Sequence, residues 1–99
     1  MKRSINHNTH PDEILKKEII EANDLTILEV ANMLGVTRPS ISNIVNEKAA
    51  ISPLMALRIT KVFGGNAELW VRLQSAYDLR EAEKQARNLV LKPYSFNAA

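Results

Sequence analysis

The chemistry this chain can offer is concentrated between Thr26 and Lys48. Arg38, Ser42, Asn43 and Asn46, with Pro39 among them, fall outward on a helical projection of residues 37–46. A guanidinium can grip guanine with two hydrogen bonds, a carboxamide can grip adenine, and a serine hydroxyl can reach a base edge or a phosphate. Lys48 follows the run and is placed for a phosphate, and the hydroxyls of Thr26, Thr37 and Ser40 sit at the starts of the two helices involved. The candidate nucleic-acid contacts are therefore Thr26, Thr37, Arg38, Pro39, Ser40, Ser42, Asn43, Asn46 and Lys48.

Other chemistries find fewer residues. There is no cysteine, which removes disulfides, thiolate metal sites and cysteine nucleophiles together. His7 and His10 stand near Asp12 and Glu13, but no third imidazole exists, so no metal and no other cofactor is expected. The serines have no other histidine to act as base, and Glu81 and Glu83 are two apart on a helix and do not face each other. No glycine loop that could cradle phosphate is present. These absences argue against an enzyme.

Placing Arg38 to Asn46 in a groove requires a second helix crossing close by. Thr26 and Glu29 have the spacing of a capping box, and the helix they start carries Ile27, Val30, Ala31 and Leu34 on one face. Ala31 is small enough for close crossing, Gly35 tolerates the left-handed backbone of a turn, and Ile41, Ile44 and Val45 face the core, with Val36 plugging the turn. Thr37 caps the second helix, and Pro39 lies in its first turn, where a missing N–H is tolerated. The spacing Ala31, Gly35, Ile41, Ile44 meets the needs of a helix-turn-helix.

Around it, His10-Pro11 opens a first helix running to about Ala22, with Leu15, Ile19 and Ala22 inward. Ser52-Pro53 starts a fourth, with Ala56, Leu57, Thr60 and Phe63 inward, ending at Gly64-Gly65. Asn66 caps a long fifth helix with Leu69, Trp70, Leu73, Ala76 and Tyr77 in one stripe, continuing to about Leu91. That stripe suits a core, and the later half suits a second subunit or another partner. The expected organisation is a flexible arm at 1–9, one all-α five-helix domain at 10–91, and a tail at 92–99.

The 99 residues suffice for one domain. The net charge of +2 is small, with the basic excess in residues 1–10 and 26–65. Phosphate affinity grows with the number of phosphates neutralised, so tight binding calls for a homodimer. No apolar run approaches the length of a membrane span and no apolar segment follows Met1-Lys2-Arg3, so neither a membrane nor a signal peptide is expected and a cytoplasmic location is.

The stretches His10-Pro11-Asp12-Glu13-Ile14-Leu15, Leu34 to Ser42, Ile44-Val45-Asn46, Ile51-Ser52, Ala56-Leu57-Arg58 and Phe63-Gly64 resemble the Cro/C1-type (XRE-type, lambda-repressor-like) helix-turn-helix family. Trp70, Leu73-Gln74 and Tyr77-Asp78-Leu79 carry a closer resemblance, to the HigA-type antitoxins. The resemblance implies a dimer that binds operator DNA in its own promoter, and a cognate toxin, usually a RelE-like mRNA endonuclease. A lone repressor without a toxin, or an interaction module without DNA binding, would share the fold. Two positions depart from the family pattern. Glu47 stands where glycine is common, and should point away from DNA or weaken binding. Ile27 stands where glutamine often contacts phosphate, and an apolar residue there suits the core or a partner surface.

Overall fold

The computed structural model describes residues 10–96, so the expected arm at 1–9 and the last three residues of the tail lie outside the described residues. The architecture is all-α, in five helices, with no strand among the described residues. The first helix, α1, changes its winding along its length: α-helical over Pro11–Ile14, π over Leu15–Ile20 and 3-10 over Glu21–Asn23. There follow α2 (Ile27–Leu34), α3 (Arg38–Val45), α4 (Pro53–Phe63) and α5 (Ala67–Ala86).

The winding of α1 corrects the inward face expected for it. In a π turn the chain advances five residues before returning to the same side. Leu15 is fully buried and Ile20, five residues on, is buried with it, whereas Ile19 is only half-buried and Ala22 is exposed. Asp24 ends the helix in the left-handed region at φ 53°, a conformation that the short polar side chain of aspartate tolerates.

The caps of α2, α3 and α4 follow their sequence signals. Thr26 accepts from the Glu29 N–H at 3.1 Å, while the Glu29 carboxylate accepts from the Thr26 N–H at 2.8 Å. Thr37 and Ser52 accept from the N–H groups of Ser40 and Met55, and Pro39 and Pro53 sit in the first turns where no N–H is missed. Asn66 caps α5 by accepting from Glu68.

The core is built from Leu15 and Ile20 of α1, Val30, Ala31 and Leu34 of α2, Ile41, Ile44 and Val45 of α3, Met55, Ala56 and Ile59 of α4, Ile51 before it, and Trp70 of α5. Within α4 this differs from the expected face. Leu57 is exposed, and Met55 and Ile59 take the inward positions beside Ala56. The helix is turned so that Arg58, rather than Thr60, reaches toward α2. Ile27 packs partly buried against the core, the role left open for it by the sequence.

In α5 only Trp70 and Gln74 are buried, while Leu69, Ala76 and Leu79 face outward. The helix ends at Ala86, short of the expected Leu91. Beyond Ala86 the apolar residues have no core beneath them to stabilise another turn. The last bonds, from Asn88 N–H to Gln85 O and Leu89 N–H to Ala86 O, close a tight final turn, and the chain then runs out without regular structure.

Candidate nucleic-acid interface

The interface is organised by the turn between α2 and α3. Gly35 has φ 71°, the left-handed conformation that closes the end of α2. The carbonyls left open there are taken by Arg58 of α4, which donates to Leu34 O at 2.7 Å and Gly35 O at 3.3 Å. A guanidinium at a helix C-terminus satisfies orphan carbonyls and complements the helix dipole. It also fills the space above Gly35, where an added Cβ would lie 3.2 Å from its Nη1. Sequence reasoning missed this role, because nothing local to Arg58 announces a partner more than 20 residues away.

From that turn α3 presents Arg38, Pro39 and Asn43 to solvent, with Ser42 half-buried between them. Arg38 makes no hydrogen bond or ion pair with any described residue, so its guanidinium is available to a ligand. The remaining expected contacts divide by what their polar atoms already do. Thr26 uses its oxygen as the cap of α2 and keeps its hydroxyl proton for donation. Thr37 and Ser40 share a hydroxyl contact at 2.8 Å, so one of the two protons is engaged between them. The amide of Asn46 donates to Ser42 O at 2.9 Å and to Ser42 Oγ at 3.3 Å, which turns it back on its own helix. Its carboxamide oxygen is left for an outside donor. Lys48 is exposed just beyond α3, where its backbone N–H holds Asn43 O at 2.7 Å. The structure thus brings Arg38, Ser42 and Asn43 onto one open face, with hydroxyls at one end and Lys48 at the other.

The N-terminus of α3 offers fewer backbone donors than a helix start usually does. Pro39 has no N–H, and that of Ser40 is taken by Thr37.

Glu47 occupies the left-handed region at φ 59°. That backbone explains why glycine suits the position. Its charge acts on Asp12 and Tyr77, on the α1 and α5 side of the molecule. Residue 47 thus links the exit of α3 to a platform formed by α1 and α5.

That platform ties α3's exit to α1 and α5. Gln74 is buried, and its side chain accepts from the Ile51 N–H at 2.9 Å and donates to Asp78 Oδ1 at 2.9 Å. His10 caps α1, its Nδ1 accepting from the Asp12 N–H at 3.1 Å, and its ring stacks on Tyr77 at 4.1 Å. His10 is thus a capping and packing residue. Asp12 is fully buried, and neither carboxylate oxygen has a hydrogen-bond partner. Burial, with the charges of Glu47 and Asp78 added, pushes its carboxyl up to about 7. Among the described residues no cluster of histidines and acids could hold a metal ion.

Comparison with known proteins places this geometry. Residues 16–70 match the family model described as Helix-turn-helix. The chain is 40% identical to virulence-associated protein I of Dichelobacter nodosus over 91 residues, covering 90% of this chain and 83% of the relative. It is similar to the structure described as Pseudomonas aeruginosa antitoxin HigA with higBA promoter, at TM-score 0.78 and 35% identity, over 81% of this chain and 87% of that one. It is also similar to antitoxin GraA in complex with its operator, at TM-score 0.77 and 32% identity, over 96% of this chain and 99% of that one.

Proposed function

The chain belongs to the helix-turn-helix family and, within it, to the HigA-type antitoxins, and from that membership we propose that it represses its own promoter as a dimer and neutralises a partner toxin. The family is one of DNA-binding proteins rather than enzymes. The observation that carries the reading is the open face of α3, with Arg38 unpaired and Asn43 exposed beside it. Two solved relatives are described with promoter or operator DNA, which supports the same use here.

In this reading α3 enters the major groove. Arg38 and Asn43 read base edges, and Ser42 reaches a base or a phosphate. Thr26, the Thr37–Ser40 pair and Lys48 hold backbone phosphates on either side, with the Asn46 oxygen accepting from a base amino group. The basic excess per copy is small, so two copies act together, their recognition helices about 34 Å apart on successive turns of a palindrome. The toxin is a RelE-like mRNA endonuclease, and both proteins act in the cytoplasm. No helix among the described residues is long and apolar enough to cross a membrane.

The test is a gel shift on the DNA upstream of the gene, across a salt series. The wild type should bind with a steep salt dependence. Arg38→Ala should weaken specific binding by about 1–3 kcal/mol, and Arg38→Ala/Asn43→Ala by more. Unchanged binding by Arg38→Ala rejects its base-reading role, and no shift above non-specific binding rejects the repressor reading. Rescue of growth on co-expression with a neighbouring toxin frame tests the second half. A wild type that shifts DNA but has no toxin to neutralise is a lone repressor.

A further inference from the structure

The polar side chains of α3 are not equally free to turn. Those of Arg38 and Asn43 make no hydrogen bond with any described residue. Asn46 is held at two points. Its backbone N–H donates to Ser42 O at 3.1 Å, and its side-chain amide donates to the same carbonyl at 2.9 Å. The amide also donates to Ser42 Oγ at 3.3 Å.

Each of these bonds fixes a polarity. A backbone carbonyl can only accept, so the corner of the Asn46 carboxamide that faces it is the NH2. The other corner is the oxygen, which can only accept and is left for a ligand. Ser42 Oγ already accepts from Asn46, and its own proton has no acceptor among the described residues. The group that Ser42 still has to satisfy is therefore a donor. Residues four apart lie one above the other on the same face of a helix. So α3 carries a donor at half-buried Ser42 beside an acceptor at exposed Asn46. Both polarities are set before any ligand arrives, and less side-chain freedom is lost on binding.

In a major groove this pair selects among the bases. Adenine offers the N7 acceptor beside the N6 amino donor, which match the hydroxyl and the carboxamide oxygen at once. Guanine offers N7 and O6, both acceptors, and would set the Asn46 oxygen against another oxygen. Cytosine has only its N4 donor, and thymine only O4 beside a methyl group, so neither base gives both bonds. Arg38 has donors alone and suits guanine. The two ends of α3 thus differ in the purine they accept.

We propose that Ser42 and Asn46 act as one unit reading a single adenine in each half-site, Ser42 donating to N7 and Asn46 accepting from the N6 amino group. The proposal rests on α3 entering the major groove, as put forward above. To test it, the full chain selects its sites from duplexes of random sequence, and the bound duplexes are sequenced. The wild type should select adenine at one position of each half-site. Ser42→Ala and Asn46→Ala should both lose about 10- to 100-fold of that preference, and should keep the preference read by Arg38. Asn43→Ala should keep the adenine. A second measurement uses the wild-type chain and does not depend on a variant's folding. 7-Deazaadenine, which lacks the N7 acceptor, replaces that adenine in one half-site of the selected duplex. Affinity of the wild type should fall roughly tenfold, while Ser42→Ala should bind the two duplexes alike. Guanine or a pyrimidine at the shared position overturns the proposal and leaves operator binding standing. The same holds if the two variants relax different positions, or if 7-deazaadenine has no effect on the wild type. A wild type that selects no sequence overturns the repressor reading as well.

Discussion

The head formed by α2 and α3 and the platform formed by α1 and α5 are built on different principles. In the head, each helix is started by its own cap, stopped by its own residue, and turned by Ala31, Gly35 and the isoleucines at regular spacing. The platform depends on interactions between residues far apart in the chain: Gln74 with Ile51, His10 with Tyr77, and the charges of Glu47 and Asp78 on Asp12. Its first helix is irregularly wound, and it buries a carboxyl group without a hydrogen bond. The head has a surface to present and needs a fixed shape. The platform carries the strain of fixing it, so most of the pH sensitivity of stability should reside there.

Asp12 gives that contrast its largest test. Its carboxyl is raised from 3.8 to about 7 in the folded chain. Between those values the folded protein keeps a proton that the unfolded chain has released, so stability falls as pH rises through the window and levels off above it. The full shift corresponds to a loss of roughly 4 kcal/mol by pH 8. Asp12→Asn should abolish that fall and unfold at a higher urea concentration than wild type at pH 8. The two proteins should be similar near pH 4. Parallel pH profiles for the two would show that Asp12 does not carry the dependence.

Next in size is Gln74→Ala, which removes the acceptor of the buried Ile51 N–H and the donor to Asp78. A buried donor left unsatisfied costs about 1–3 kcal/mol. Urea midpoints should fall accordingly. If the platform supports the head, specific DNA binding measured below the unfolding range should also weaken, although Gln74 belongs to α5 and its side chain bonds to Ile51 and Asp78, not to α3. Lost stability with unchanged binding would separate the two regions.

The comparable lesion in the head is Gly35→Ala. It places a Cβ on a residue at φ 71° and 3.2 Å from Arg58 Nη1. The left-handed backbone costs roughly 1–2 kcal/mol for a residue with a side chain. Arg58→Ala should cost a similar amount by uncovering the carbonyls of Leu34 and Gly35. Because both act on one feature, the double variant should lose less than the two single losses added together. Full additivity would mean that Arg58 does not act through the turn.

The same division decides what could be read in the sequence. Thr26 with Glu29, Gly35, Thr37 with Pro39, and Ser52 with Pro53 are local signals, and each marks an element boundary seen in the structure. The open face with Arg38 and Asn43 was legible for the same reason. The inward faces of α1 and α4 were not. A π turn moves the buried position from Ile19 to Ile20, and in α4 Ile59 is buried where Leu57 is exposed, with Arg58 beside it bonded to the end of α2. Asn46 reads as an outward amide, but its return to Ser42 depends on a rotamer that spacing does not specify. Gln74 is a polar residue on an apolar stripe, and its partner Ile51 lies in another part of the chain. The end of α5 depends on what lies beneath it, which no local pattern records.

Glu47 joins the two regions and gives the smallest effect, with the opposite sign. It ends the head in a left-handed conformation, φ 59°, while its charge bears on Asp12 in the platform. Glu47→Gly should stabilise the protein by about 1 kcal/mol at neutral pH, because relief of the backbone exceeds the entropy glycine adds to the unfolded chain. It should also shift the Asp12 carboxyl down, so that the loss of stability with rising pH becomes smaller and levels off at a lower pH. Glu47→Gln removes the charge and keeps the backbone cost, so it should produce that shift without the gain in stability at low pH. If Glu47→Gly and Glu47→Gln behave alike at every pH, the position acts through its charge alone. If only glycine stabilises and neither moves the pH profile, the head and the platform do not communicate through residue 47.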